Sequence, residues 1–278
     1  MSAVGSLEHA VGAPGGQLPD AAESRGRFRL ALADIGGVTR RNLLRTIRTP
    51  RLLVFSSIQP VMFVLLFRYV FAGAIHAPNG SYVDYLMPGI FVQTALFGGA
   101  STAVGLAADL QGGIIDRFRS LPMARSAVLA GRTVADLLRN IFVLVLMVVV
   151  GMLVGFRFHG GLGHDLASLG IVLLFGYAFS WLFATIGLLV RDPETAQIAG
   201  FLPLFPLVFA SSAFVPVETM PGWLQAFANV QPVSVTVNAV RALASGAPAG
   251  HWVWQSLVWI AGFLVVFAVL AVRQYRRV

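Results

Sequence analysis

The residues able to carry out chemistry are few, and their neighbours exclude most of what they could do. His159, His164 and Asp165 lie close enough in sequence to be drawn as a metal site, but an i, i+5 histidine spacing in a glycine-rich turn matches metal-ligand patterns poorly. His9, His76 and His251 stand alone. With no cysteine there is no thiolate ligand, disulfide or Cys nucleophile. No GxSxG nucleophile, HExxH pair or glycine-rich phosphate loop is present. All twenty basic residues are arginine, and a P-loop needs a lysine to reach the phosphates, so this chain is not its own P-loop ATPase. What remains is polar but uncharged, or conformational. Gln59 precedes Pro60, Pro203 and Pro206 interrupt a second apolar stretch, and Phe201, Phe205 and Phe209 repeat at i, i+4 and i+8. Prolines kink helices and free backbone carbonyls, so they serve either as static bends or as hinges lining a pathway. The phenylalanine stripe fits packing against lipid or a neighbouring helix better than a drug pocket.

The elements that must position these residues follow from composition. Across 278 residues, 57% are hydrophobic and only 12% charged, with a mean hydropathy of +0.78. That is too apolar for a soluble domain and implies an all-α polytopic membrane protein. At roughly 20 residues per span, six spans fall near residues 52–71, 85–108, 139–156, 166–190, 196–215 and 252–272. Seventeen of the arginines occupy alternate gaps between them, leaving only Arg68, Arg157 and Arg241 elsewhere. The positive-inside bias then puts both termini in the cytoplasm. The net charge of +8 follows from these loops and anionic headgroups, not from nucleic acid. Exclusive use of arginine hints at a GC-rich bacterial genome, hence a bacterial cell membrane. Residues 1–26 read as a disordered cytosolic tail and not a signal peptide, 27–51 as an interfacial helix and 52–278 as the transmembrane domain.

Within that layout, residues 28–48 form an interfacial helix broken near Gly36 and Gly37. Leu43, Leu44 and Ile47 share one side and Arg41, Arg45 and Arg48 the neighbouring arc; Arg40 breaks the division, and a merely basic juxtamembrane segment is the alternative. Arg132, Asp136 and Arg139, at i, i+4 and i+7, share a helical face where Asp136 can pair with either arginine. A charge at mid-bilayer costs roughly 2.5 to 3.5 kcal/mol, which puts this trio at or below the cytoplasmic interface. None of the twelve acidic residues falls in the middle of a predicted span, which disfavours an ion-coupled carrier. Ala95, Gly99 and Ala103 make a small-xxx-small face for close helix packing. The apolar segment 216–251 reads as two short re-entrant or interfacial helices split near Gln231 and Pro232, or else as an external loop anchored by Trp223.

Two motifs carry a family resemblance. Gln111-Gly-Gly-Ile-Ile-Asp-Arg-Phe-Arg-Ser-Leu-Pro-Met-Ala-Arg125 resembles the cytoplasmic loop after the second span of ABC-2 type permeases, particularly their daunorubicin-resistance DrrB-like branch. Met220-Pro-Gly-Trp-Leu-Gln225, then Gln231-Pro232 and Ala239-Val-Arg241-Ala-Leu243, resembles the region before their last span, so Pro221, Trp223, Pro232 and Arg241 form an external motif. The resemblance implies the transmembrane subunit of an exporter whose ATP-binding subunit is a separate chain, present in two copies. It implies a coupling helix that includes Gly113, in which Asp116, Arg117 and Arg119 make polar contacts to the ATPase, Phe118 and Leu121 apolar ones, and Pro122 ends the segment. The amphipathic helix carrying Arg41, Leu44, Arg45 and Arg48 packs beside it.

The expected function is ATP-driven export of a hydrophobic drug, lipid or secondary metabolite. A second permease copy or a sister permease completes the complex, and membrane lipid surrounds it. The chain itself binds no cofactor; ATP and Mg act through the partner. The alternatives are a non-conducting scaffold or immunity protein that recruits an ATPase and, less favoured, an ion-coupled secondary transporter.

Overall fold

The computed structural model describes residues 36–37, 39, 50–71, 81–113 and 125–277. Among them the chain is all helical, with no strand: α1 Pro50–Leu66, continued by a π-helical turn Phe67–Phe71, α2 Tyr82–Gln111, α3 Arg125–Leu153, α4 Leu162–Val190, α5 Pro193–Phe209, α6 Gly222–Val230, α7 Pro232–Ser245 and α8 Gly250–Arg277. A 3₁₀ turn, Val217–Thr219, precedes α6. Four helices, α2, α3, α4 and α8, contain stretches long and apolar enough to cross a membrane.

α2 is the axis of the molecule, packed against α3, α4, α5 and α7. Its seam with α4 is made by small residues. Ala95, Gly99 and Ala103 face Gly176, Phe183 and Gly187, and a methyl group on Gly187 would lie 2.5 Å from the Ala103 carbonyl oxygen. Without a water-driven hydrophobic term between membrane helices, such backbone approach supplies the dispersion that holds them together. α8 lies at the periphery against α4 and α7, with 17% of its apolar stretch buried, as suits a lipid-facing helix.

Several boundaries differ from those expected. The fifth span was expected over 196–215, but α5 stops at Phe209 and is 17 residues long. Pro203 and Pro206 each delete a ladder hydrogen bond, and the chain turns through Ala210–Val215 instead. α3 runs Arg125–Leu153, so Arg132, Asp136 and Arg139 lie inside one helix, as their shared face requires. Gly36 and Gly37 are helical where a break was expected, since a glycine in a helix costs only about 1 kcal/mol. Segment 216–251 forms two helices, α6 and α7, meeting at Gln231–Pro232, with ten of the 14 residues of α7 buried. Arg41, Leu44, Arg45 and Arg48 of the amphipathic helix, and Asp116, Arg117, Phe118, Arg119, Leu121 and Pro122 of the coupling segment, lie outside the described residues.

Candidate functional site

A second stripe on α2, Ala95, Gly98, Thr102, Gly105 and Asp109, faces α3 and carries the polar content of the bundle. Arg132 reaches across to ion-pair with Asp109, passing over Gly105, where any side chain would collide with its guanidinium. Thr102 Oγ1 donates to Asp136 Oδ2 at 2.5 Å, and Asp136 Oδ1 lies 3.3 Å from Arg139 Nη2. The same nitrogen donates to the Gly98 carbonyl at 2.5 Å. Asp136 therefore takes Arg139, not Arg132, and the second carboxylate comes from the neighbouring helix.

The pairing spreads the trio over different levels of α2. At 1.5 Å per residue, Gly98 lies about 2 Å and Thr102 about 8 Å from the midpoint of α2, and Asp109 about 19 Å away near its end. Arg139 and Asp136 thus sit level with the middle of α2, while Arg132 pairs near its end. Four charges matched pairwise, with Asp136 and Arg139 bonded further to Thr102 and Gly98, lower the penalty that an isolated charge would carry. The apolar stretch of α3 also starts earlier than the span expected from residue 139, and so takes in a carboxylate. Asp136 is 8% exposed within the apolar stretch Leu129–Leu153.

Beside Arg139 opens a cavity of about 120 Å³. Gln59 and Pro60 of α1, Gln93, Thr94 and Phe97 of α2, Asn140 of α3 and Phe201 of α5 all reach it. Gly98 makes room: a Cβ there would run into Asn140 Oδ1, and Asn140 Nδ2 lies 3.5 Å from the Ala95 carbonyl. Gln93 Oε1 and Thr94 Oγ1 are buried and have no hydrogen-bond partner among the described residues. The structure thus gathers Gln59, Pro60 and Phe201 at one place. Phe205 does not line the cavity but stacks on Phe209 at 5.5 Å and meets Phe97 edge-on at 6.4 Å, so the stripe continues an aromatic wall. Pro203 and Pro206 shape α5 without reaching the cavity. Gln93, Thr94 and Asn140 were missed. Their only signal was a polar pair inside an apolar run and an amide next to Arg139.

At the other end of α2 the external-motif residues build a clamp. Arg241 donates through Nε and Nη2 to the Tyr85 carbonyl (3.2 and 3.1 Å), through Nη2 to the Ser212 carbonyl (2.8 Å) and through Nη1 to Asn238 Oδ1 (2.9 Å). Its guanidinium carbon lies 3.7 Å from the Tyr85 ring centroid. Gln231 serves the broken backbone in the same way. Its Oε1 accepts from Val233 N–H at 3.1 Å to cap α7, and its Nε2 donates to the Leu207 carbonyl at 2.9 Å. Orphan carbonyls after α5 are thereby satisfied without water, as irregular backbone inside a membrane protein requires. Pro232 opens α7, Pro221 precedes α6, and Trp223 is 75% exposed. Toward the connection between α2 and α3, Gly113 holds a positive φ of 65° after the helix end, and Thr39 donates to the Gly131 carbonyl at 3.0 Å. Among the described residues no group of histidines and carboxylates could hold a metal ion; His164 Nδ1 lies 3.0 Å from the Gly160 carbonyl.

With this geometry in hand, comparison with known proteins decides the family. Residues 34–244 match the ABC-2 type transporter family, about three quarters of the chain. The chain belongs to that family. It is 37% identical over 228 residues to the daunorubicin resistance ABC transporter permease protein DrrB1 of Streptomyces coeruleorubidus, covering 82% of this chain and 80% of the relative. It is 29% identical over 256 residues to the probable doxorubicin resistance ABC transporter permease protein DrrC of Mycobacterium tuberculosis, covering 91% and 92%. A more distant relative, the putative transport permease ycf38 of Cyanophora paradoxa, is 26% identical over 238 residues, covering 82% of this chain and 79% of the relative. As an ABC-2 family permease the chain is a membrane protein, and its apolar helices and mid-helix polar seam are those of a membrane-embedded subunit.

Proposed function

We propose that this chain is the membrane-spanning subunit of an ATP-driven exporter moving a hydrophobic drug, lipid or secondary metabolite out of the cytoplasm or inner leaflet of a bacterial plasma membrane. The carrying observation is the polar cavity level with the middle of α2, walled by Gln59, Phe97, Phe201 and Asn140, in a chain of the ABC-2 family. A bundle serving only as a scaffold has no use for unpartnered polar atoms at that depth. The resistance permeases among the relatives make daunorubicin the first cargo to try.

In this reading α1 and α5 span with the four longer helices, both termini are cytoplasmic, and two such chains join two ATP-binding subunits that supply the ATP and Mg chemistry. Residues 113–122 would dock on the ATPase, with Asp116, Arg117 and Arg119 polar contacts and Phe118 and Leu121 apolar ones. The Asp109–Arg132 pair and the Thr102–Asp136 bond brace α2 against α3 directly beyond that connection, so a push on it reaches the cavity wall as movement of a tied hairpin. Coupling requires that the ATP-bound partner prefer one of the two permease conformations. The Thr39–Gly131 contact supports placing the N-terminal segment beside the same end.

The test is ATP-dependent daunorubicin uptake into inverted vesicles holding the chain and its ATP-binding subunit. Uptake that needs ATP, and that falls together with drug-stimulated ATPase activity in Arg119→Glu combined with Pro122→Ala, is expected. ATP hydrolysis with no cargo moved would favour a scaffold, and uptake driven by an ion gradient without ATP would favour a carrier.

A further inference from the structure

We propose that the cavity beside Arg139 receives the uncharged, hydroxyl-bearing end of an amphiphile whose apolar body continues over Phe97 and Phe201. The proposal rests on reading this cavity as part of the export path. Three observations carry it.

The first is unmet hydrogen bonding. Gln93 Oε1 and Thr94 Oγ1 line the cavity, are buried, and have no partner among the described residues. A buried polar atom left unpaired is costly, so such atoms persist where something polar can satisfy them. A hydroxyl can donate to either oxygen and accept in turn from the Thr94 hydroxyl or the Asn140 amide, which a carbonyl or a charged group cannot do with all of them.

The second is charge. Arg139 is matched by Asp136 and already donates to the Gly98 carbonyl, so the site has no net charge. A cationic end would meet Arg139 at low dielectric and find no unpaired carboxylate among the described lining residues. An anionic end would have to displace Asp136, leaving a buried carboxylate unpaired.

The third is size and shape. At about 120 Å³ the space is smaller than the roughly 300–1,000 Å³ of sites that hold a whole drug-sized molecule. The rest of a ligand must therefore lie outside it, along the aromatic wall formed by Phe97, Phe201 and Phe205.

The experiment uses the full chain in phosphatidylcholine vesicles and three photoreactive diazirine probes with the same dodecyl chain. Their headgroups are glucosyl, carboxylate and trimethylammonium, and labelled peptides are mapped by mass spectrometry. The glucosyl probe is expected to label the segments around 93–101 and 139–143 about tenfold more than the charged probes, the factor for a difference of about 1.4 kcal/mol. Combining Gln93→Leu with Thr94→Val is expected to lower that labelling about tenfold while the melting temperature holds or rises, because two unsatisfied buried groups are removed. Equal labelling by all three headgroups, or labelling unchanged in the variant because the cavity holds only water, would overturn the proposal. No ATP or partner is present, so failure here is distinguishable from failure of the exporter reading, which the uptake assay tests alone.

Discussion

The α2–α3 seam and the α2–α7 clamp both place arginines among buried backbone, yet they are built differently. Arg132 reaches the Asp109 carboxylate across the seam, Arg139 pairs with Asp136 on its own helix and crosses to the Gly98 carbonyl, and the unpartnered Gln93 Oε1 and Thr94 Oγ1 lie beside them. Arg241 has no carboxylate within ion-pair distance among the described residues. Its donors go to backbone carbonyls and Asn238, and its face lies on Tyr85. Four of the five guanidinium N–H groups in the clamp are bonded, and the clamp ties the irregular chain after α5 to α2 and α7. The seam neutralises its charges but leaves neutral hydrogen-bonding capacity open to a cavity. One cluster therefore fixes the fold, and the other retains a capacity for binding.

Removing half of an ion pair should break this contrast most severely. Asp136→Leu leaves the partly buried Arg139 without its carboxylate, with an expected loss of about 2–4 kcal/mol in denaturation of the detergent-solubilised chain. Combining it with Arg139→Met should restore most of that stability. Recovery would show that the pair is not needed for folding itself.

Next comes the clamp. Arg241→Met is expected to cost about 2–4 kcal/mol, because the Tyr85 and Ser212 carbonyls lose their donors, and Arg241→Lys somewhat less. Uptake per folded molecule should stay near wild type in the lysine variant, measured against the amount of protein surviving gel filtration. A clamp variant that folds normally but loses transport would erase the distinction between the two regions.

A smaller effect is expected at Gly98, where Gly98→Ala sets a methyl group against the Asn140 amide at a cost of about 1–3 kcal/mol. Asn140→Ala in the same chain should relieve the clash. Thermal unfolding of the single and double variants measures the coupling.

The smallest effect lies outside the membrane helices. The Asp192 carboxylate accepts from the Thr195 hydroxyl and backbone N–H at 2.6 and 2.8 Å, which hold its pKa below the usual carboxylate range. Because the folded value is the lower one, the stabilisation is fully present above about pH 4 and disappears as pH falls through the lowered value. The gap in melting temperature between wild type and Asp192→Ala should therefore be present at pH 7 and close on acidification, while Asp192→Asn keeps part of the cap.

Much of the fold was legible from apolar run lengths, because a membrane helix needs little more than length and hydropathy to be found. The Ala95–Gly99–Ala103 stripe and the split at Gln231–Pro232 were readable for the same kind of reason: small-residue spacing and a proline speak locally. The seam was only half legible. The spacing of Arg132, Asp136 and Arg139 placed them on one face, but not their partners on α2, because Asp109, 23 residues before Arg132, and Thr102 and Gly98 come from another helix. Gln93, Thr94 and Asn140 gain meaning only when α1, α3 and α5 converge on α2, and no spacing within one helix announces that. Arg241 stood out as an outward arginine inside a motif, whereas its role as a bond to backbone 156 residues away did not.

The most direct test of the account is ATP-driven daunorubicin uptake by complexes carrying Gln93→Leu with Thr94→Val, normalised to folded complex. Uptake should fall about tenfold or more, with partner association and melting temperature retained, if these atoms bind cargo. Wild-type uptake from that variant would contradict the claim that the seam-side cavity lies on the export path.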